Sequence, residues 1–207
     1  MEVKLIAFTP DPDRVCASAA KLTHSNLAGD QLIEKMSGEQ IGRLLDSVIR
    51  LGHTSVIEHV DFTFSIAGIS RACSHQLVRH RMASYSQQSQ RYVKFEESFV
   101  EPETILQNEK TRDIFERELK SCYECYQRLL ELEVPKEDAR YILPNASKTN
   151  LFVTMNARSL TNFFELRLRK DAQWEIRELA KRMLEQVCEV APAIFHDLYA
   201  RYITQKQ

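Results

Sequence analysis

A short apolar run from Met1 to Phe8, broken at once by Pro10 and Pro12, predicts a strand over residues 2–8. A helix should start near Pro12, because proline suits a first helical turn. The next helix is marked more fully: Ser37 and Gln40 form a capping box, Ile41, Leu44, Leu45, Val48 and Ile49 recur at helical spacing, and Gly52 supplies the stop. Residues 60–66 alternate apolar and polar with period two, the mark of a half-buried strand. A helix over residues 70–81, a polar loop through Ser84–Gln90 and a short strand over 91–95 are expected next. Phe115, Leu119, Cys122, Tyr126 and Leu129 step by four and three, so a long amphipathic helix should run until Pro135 ends it. A short helix over 136–142 precedes Pro144, and from Ser159 to the end two or three helices are predicted, with a break at Pro192.

No repeat, low-complexity tract or linker interrupts this pattern. It predicts a single α+β domain over residues 1–207, with a central, mostly antiparallel sheet flanked by helices and a helical C-terminal region. One position stands out in the last part. If residues 159–170 form a helix, Leu160, Phe163 and Phe164 define its apolar face and Arg167 falls in the middle of it. A guanidinium there needs an acceptor, either a structural carboxylate or a ligand in a cavity. Arg158, Asn162 and Arg169 share another face, as a second polar wall or as wet surface.

Composition narrows the classes. Hydrophobic residues are 43% and charged residues 28% of the 207, which excludes disorder and fibrous structure. With five glycines and no GxGxxG or GxxxxGK[ST], a bound phosphate would not be held by a glycine loop. The first residues are too short an apolar run for a signal peptide, and no stretch approaches the roughly 20 apolar residues of a membrane helix. Cys16, Cys73, Cys122, Cys125 and Cys188 form no framework, as expected for reduced thiols of a cytoplasmic protein with no membrane partner. The Cys122–Cys125 CxxC has no second pair, so it reads as two helix positions rather than a metal site, and no metal is expected.

Net charge is −1, yet residues 62–95 contain no Asp or Glu while holding Arg71, Arg79, Arg81, Arg91 and Lys94. His75, His80 and the hydroxyl and amide run Ser84–Gln90 add donors. A solvated basic face would mix signs and use lysine freely; arginine, with its planar fork, suits phosphate. Nucleic acid is a rival ligand, through Arg79, Arg81, Arg91 and stacking Tyr85 and Tyr92 as in an RNA-binding module, but the near-neutral charge disfavours a polymer.

Arg79-His80-Arg81, seven residues, then Ser89-Gln90-Arg91 match RHRx7SxR, and the chain thereby resembles the flavin-dependent thymidylate synthases. The likeness continues through Gly52-His53-Thr54-Ser55, Glu58-His59, Ala139-Arg140, Leu143-Pro144, Asn156-Ala157-Arg158-Ser159, Phe164, Leu166-Arg167 and Ala172-Gln173-x-Glu175-Ile176-Arg177.

The resemblance implies reductive methylation of dUMP to dTMP, with methylenetetrahydrofolate as one-carbon donor, reduced FAD as hydride donor and NADPH as reductant. Ser55, Arg79, His80, Arg81, Gln87, Asn156, Ala157, Arg158 and Asn162 would hold FAD, and His53 would line the flavin and folate side. Gln76, Arg79, Gln87, Gln88, Ser89, Gln90, Arg91, Arg140 and Arg167 would hold dUMP, with Arg167 against uracil as the catalytic residue. The family also implies a homotetramer with sites between subunits. The other class of thymidylate synthase uses a Pro-Cys nucleophile, and no Pro-Cys occurs here. A flavin-binding homologue without synthase activity is the remaining alternative.

Overall fold

The structure, a computed structural model, describes residues 1–204; the helix expected from sequence to the end of the chain falls, over residues 205–207, outside the described residues. Its centre is β2 (Asp61–Ser70), whose Phe62, Phe64 and Ile66 point inward with no exposed surface while Thr63 and Ser65 point out. This is the alternation the sequence shows; the strand itself runs on to Ser70, past a register shift between Ile66 and Ile69. On one side β2 pairs with β1 (Glu2–Phe8), on the other with β4 (Lys148–Asn156), and β3 (Ser84–Gln87) closes the order β1-β2-β4-β3. Every pairing is antiparallel.

Two of these strands correct the sequence reading. Ser84–Gln87 is a strand rather than a loop: Tyr85 turns inward, Ser84 and Ser86 face out, and the strand is a sheet edge, where short polar stretches are favoured because they resist further pairing. Strand β4 was not predicted, although Thr149, Leu151, Val153 and Met155 are its buried alternate positions. Residues 91–95 form no strand. The Val93 N–H donates back to the Ser89 carbonyl at 2.9 Å, turning the chain.

The helices are α1 (Pro12–Leu22), α2 (Gly29–Lys35), α3 (Gly38–Arg50), α4 (Arg71–Leu77), α5 (Glu103–Leu106), α6 (Glu109–Glu131), α7 (Lys136–Ala139), α8 (Ala157–Arg167), α9 (Trp174–Val190) and α10 (Pro192–Tyr199). Helix α4 is shorter than the predicted 70–81, and α2 was not predicted. Pro12 and Pro192 stand at helix starts, as proline should. Helices α1, α3, α8, α9 and α10 cover one face of the sheet, where Leu45, Phe62, Phe64, Leu160, Phe163, Phe164 and Phe195 make one core. A smaller cluster ties α6 down: Phe95, Tyr126 and Ala139 pack together, and the Phe95 N–H donates to the Tyr126 hydroxyl at 3.1 Å. Among the described residues no helix is long and apolar enough to cross a membrane.

The capping box of α3 is formed on both sides. The Gln40 N–H donates to Ser37 Oγ at 3.3 Å and the Ser37 N–H to Gln40 Oε1 at 3.0 Å. Gly52, at φ +80°, ends the helix in the left-handed conformation that glycine adopts without strain. Ser37→Ala should lower unfolding free energy by about 1 kcal/mol in a urea titration. An unchanged midpoint would mean that packing of Ile41 and Leu45 alone sets the start of α3.

Candidate active site

Strand β2 passes into α4 with no residue between, and Ser70 caps the helix, its Oγ accepting from the Cys73 N–H at 2.9 Å. Ser70 is itself held by Glu175, in the first turn of α9: the Ser70 N–H donates to Oε1 at 2.7 Å and its hydroxyl to Oε2 at 2.5 Å. Both residues are buried, so this carboxylate anchors the start of α4 from within the core. The other end of α4 leads into Arg79-His80-Arg81. That turn is latched by Tyr85 on β3, whose hydroxyl lies 2.9 Å from the Leu77 carbonyl and 3.0 Å from that of His80. Burial raises the phenol's pKa, so it remains a donor.

Strand β4 passes equally directly into α8. Asn156 is at once its last residue and the helix cap, with Oδ1 accepting from the Ser159 N–H at 2.9 Å. Because Asn156 pairs with Asp61, α8 starts at the opposite end of β2 from α4 and returns over the same sheet face. Its last residue, Arg167, thereby reaches the α4 turn. Arg167 Nε donates to His80 Nε2 at 3.0 Å and Nη2 to the Gln76 carbonyl at 3.3 Å.

The sequence left open whether Arg167 would find a carboxylate. It finds neutral acceptors instead, so its positive charge is oriented but not cancelled. His80 packs edge-on against Phe163, ring centroids 4.9 Å apart, and burial together with the Arg167 charge pushes its pKa down to about 4. At neutral pH the imidazole is therefore uncharged and keeps an Nε2 lone pair for Arg167.

These elements enclose a cleft of about 780 Å³ whose walls include Arg79, His80, Arg81, Asn156, Arg158, Asn162 and Arg167. Among the described residues Glu58 is the one acidic residue lining it, and it pairs with Arg158. The cleft is thus strongly cationic, roomy enough for a cofactor, and bounded by amide and guanidinium donors. Its Arg79, Arg81 and Met82 side chains are exposed and free to meet a ligand.

Seven of the residues expected from sequence line this cleft; Gln76 reaches it only through the carbonyl that Arg167 meets, and the rest do not line it. Ala157 is fully buried; its N–H donates to the Val60 carbonyl and its carbonyl accepts from the Thr161 hydroxyl, so it fixes the start of α8 and shows the cleft no free polar atom. Gln87 turns under the sheet, where Nε2 donates to Ser74 Oγ at 3.0 Å and Thr149 Oγ1 at 3.1 Å. Ser55 and His53 are exposed, in and just before the 3-10 turn Thr54–His59, and line none of this cleft. Gln88, Ser89 and Gln90 line a second cleft of about 300 Å³ with Lys94 and Lys148. Arg91 pairs with Glu137 and lies 5.5 Å from the Tyr92 ring centre. Arg140 donates from Nε to the Glu137 carbonyl at 3.0 Å and lines a third cleft.

Sequence reasoning missed Glu58 as a cleft residue and missed the supporting roles of Ser70, Tyr85 and Glu175. Glu175 sat within a quoted motif; nothing local could pair it with a serine 105 residues earlier. Among the described residues there is no group of three metal-ligating side chains.

Comparison with known proteins gives the family and the fold. Residues 4–193 match the family described as "Thymidylate synthase complementing protein". The chain is 52% identical over 200 residues to the flavin-dependent thymidylate synthase of Geobacter sulfurreducens, covering 95% of this chain and 86% of that one. It is 48% identical over 196 residues to the enzyme of the same name from Sulfurisphaera tokodaii, covering 94% and 76%. Among solved structures, the UMP/dUMP methylase PolB from Streptomyces cacaoi bound with 5-Br dUMP superposes with a TM-score of 0.83 at 26% identity, covering 97% of this chain and 95% of that one. A family match over residues 4–193 and identities of 48–52% over nearly the whole chain place it in one lineage with these enzymes, and this chain belongs to the flavin-dependent thymidylate synthase family.

Proposed function

We propose that the protein methylates dUMP to dTMP, acting in the cytoplasm as a single-domain subunit of a homotetramer. The observation that carries this reading is Arg167: a guanidinium oriented by His80 and the Gln76 carbonyl, without a counter-charge, on the wall of a cationic cleft. Such a group stabilises negative charge as it develops on a uracil ring, and its neutral acceptors orient it without weakening it.

The cleft suits FAD in size and in donors. Arg79, Arg81 and Arg158 would hold its pyrophosphate, while Asn156 and Asn162 would meet its polar edges. The carbon of methylenetetrahydrofolate is two electrons short of a methyl group, and reduced FAD, replenished by NADPH, is the hydride donor that supplies them. The chain's own work is to position the rings, hold the phosphates and keep Arg167 charged and His80 neutral.

An enzyme cysteine nucleophile has no support in the geometry. Cys16 and Cys73 are buried, with thiol pKa values pushed up, that of Cys16 to about 12, and no cysteine lines the cleft. The dUMP set is divided among three clefts of one chain, and a tetramer with sites between subunits would reunite it.

An absorbance spectrum of the purified protein, with FAD added and then dUMP, tests the reading. Flavin bands that shift with dUMP, followed by dTMP formation with NADPH and methylenetetrahydrofolate, are expected. A folded protein that takes up no FAD would overturn it, and a salt-dependent RNA titration would then be the next measurement.

A further inference from the structure

Tyr85 falls within the seven residues that separate Arg79-His80-Arg81 from Ser89, where the motif prescribes no side chain. Strand β3 sets its place, laying Tyr85 opposite Val153 of β4 and turning its ring inward against the core. From there the hydroxyl reaches back to the turn that follows α4, within hydrogen-bond distance of the Leu77 and His80 carbonyls.

Leu77 and His80 are the two ends of that turn, which the His80 N–H closes by donating to the Leu77 carbonyl at 3.1 Å. A helix leaves its last carbonyls without partners, and here one phenolic proton, shared between two of them, answers from another element. Among the described residues no other donor reaches the His80 carbonyl. The chain runs on to β3 through Arg81 and Met82, both exposed, so these two add no buried contact to hold the turn.

The contacts close a circuit. Strand β4 carries β3, and with it Tyr85, on its edge, and leads directly into α8. The last residue of α8, Arg167, donates to the His80 ring, and the His80 carbonyl meets the Tyr85 hydroxyl. One residue thus meets Arg167 with its side chain and Tyr85 with its backbone. A turn that shifted against β4 would carry the imidazole away from Arg167, and the hydroxyl opposes that shift.

We infer that Tyr85 is a positioning residue of the proposed reaction: through the His80 carbonyl it fixes the imidazole that orients Arg167 on the cleft wall. The inference rests on the dUMP reading for its effect on rate, and on the contacts alone for its effect on His80. It also gives the unspecified interval of the motif a task, since the strand that fills it returns a hydroxyl to the turn where the motif begins.

Tyr85→Phe removes the hydroxyl and keeps the ring in the core, so two measurements on this variant test the inference. The first is an NMR pH series that reads His80. In the parent its pKa lies at about 4, held down by burial first and by Arg167 second. A ring released by Tyr85→Phe gains water and distance from Arg167, and its midpoint should rise toward the ordinary histidine value. An unchanged midpoint overturns the inference. The second is dTMP formation at saturating FAD, where kcat should fall about fivefold, the usual worth of one neutral hydrogen bond, with KM for dUMP unchanged. In an Arg167→Ala background the same change should cost nothing further, because the group it serves is gone. An equal loss in both backgrounds would show that Tyr85 does not act through Arg167, which also overturns the inference. A parent that forms no dTMP would remove the dUMP reading and leave the His80 midpoint to decide whether Tyr85 holds the imidazole.

Discussion

Arg167→Ala is expected to cut dTMP formation by about 10²- to 10³-fold, the usual cost of losing a preorganised charge at a developing anion. FAD absorbance should survive, because Arg79, Arg81 and Arg158 remain to hold the cofactor. Arg167→Lys should recover only part of the rate: an ammonium restores charge but cannot donate in a fixed fork to both His80 Nε2 and the Gln76 carbonyl. A second readout separates this from simple misfolding. The His80 pKa is pushed down to about 4 by burial first and by the Arg167 charge second, so Arg167→Ala should move its titration upward, toward the ordinary histidine value, in an NMR pH series. An Arg167→Ala protein with an unchanged rate would end the catalytic assignment.

Glu175→Ala should have the largest effect on stability, a loss of about 3 kcal/mol in urea denaturation. The carboxylate accepts both polar hydrogens of Ser70, and both residues are almost completely buried. Truncation strands those two donors where water cannot reach them. Glu175→Gln keeps the shape and one good acceptor oxygen, so its loss should be roughly half as large. A Glu175→Ala midpoint within experimental error of the parent would show that water enters the gap and that Glu175 does not anchor α4.

The parts of this fold that could be read in advance are those where local chemistry and tertiary environment agree. Ser37 and Gln40 cap α3 whatever surrounds them, and β2 alternates because one of its faces is core. Strand β3 was hidden because its residues are those of a loop; pairing with β4 alone makes Ser84–Gln87 extended. In β4, Phe152 is half exposed between buried Leu151 and Val153, and that third apolar residue blurs the alternation. Site legibility divides the same way. Helical spacing alone put Arg167 among apolar neighbours and required a partner for it. The partner, a neutral histidine 87 residues earlier, is set by how α4 and α8 cross the sheet face, which no local pattern records. Conversely, Ala157 sits within the family pattern, yet its work is to seat a helix.

The direct passage of β2 into α4 and of β4 into α8, with no residue between, also governs which changes of length the chain can accept. One residue added inside β4 sends every later side chain of that strand to the other face, and one added inside α8 swings Arg167 about 100° around the helix axis. Lineages of this chain can therefore lengthen or shorten in the stretch 23–28, outside every strand and helix, while 61–77 and 148–167 must keep their count. Gaps in an alignment of relatives should fall in the first stretch and avoid the other two.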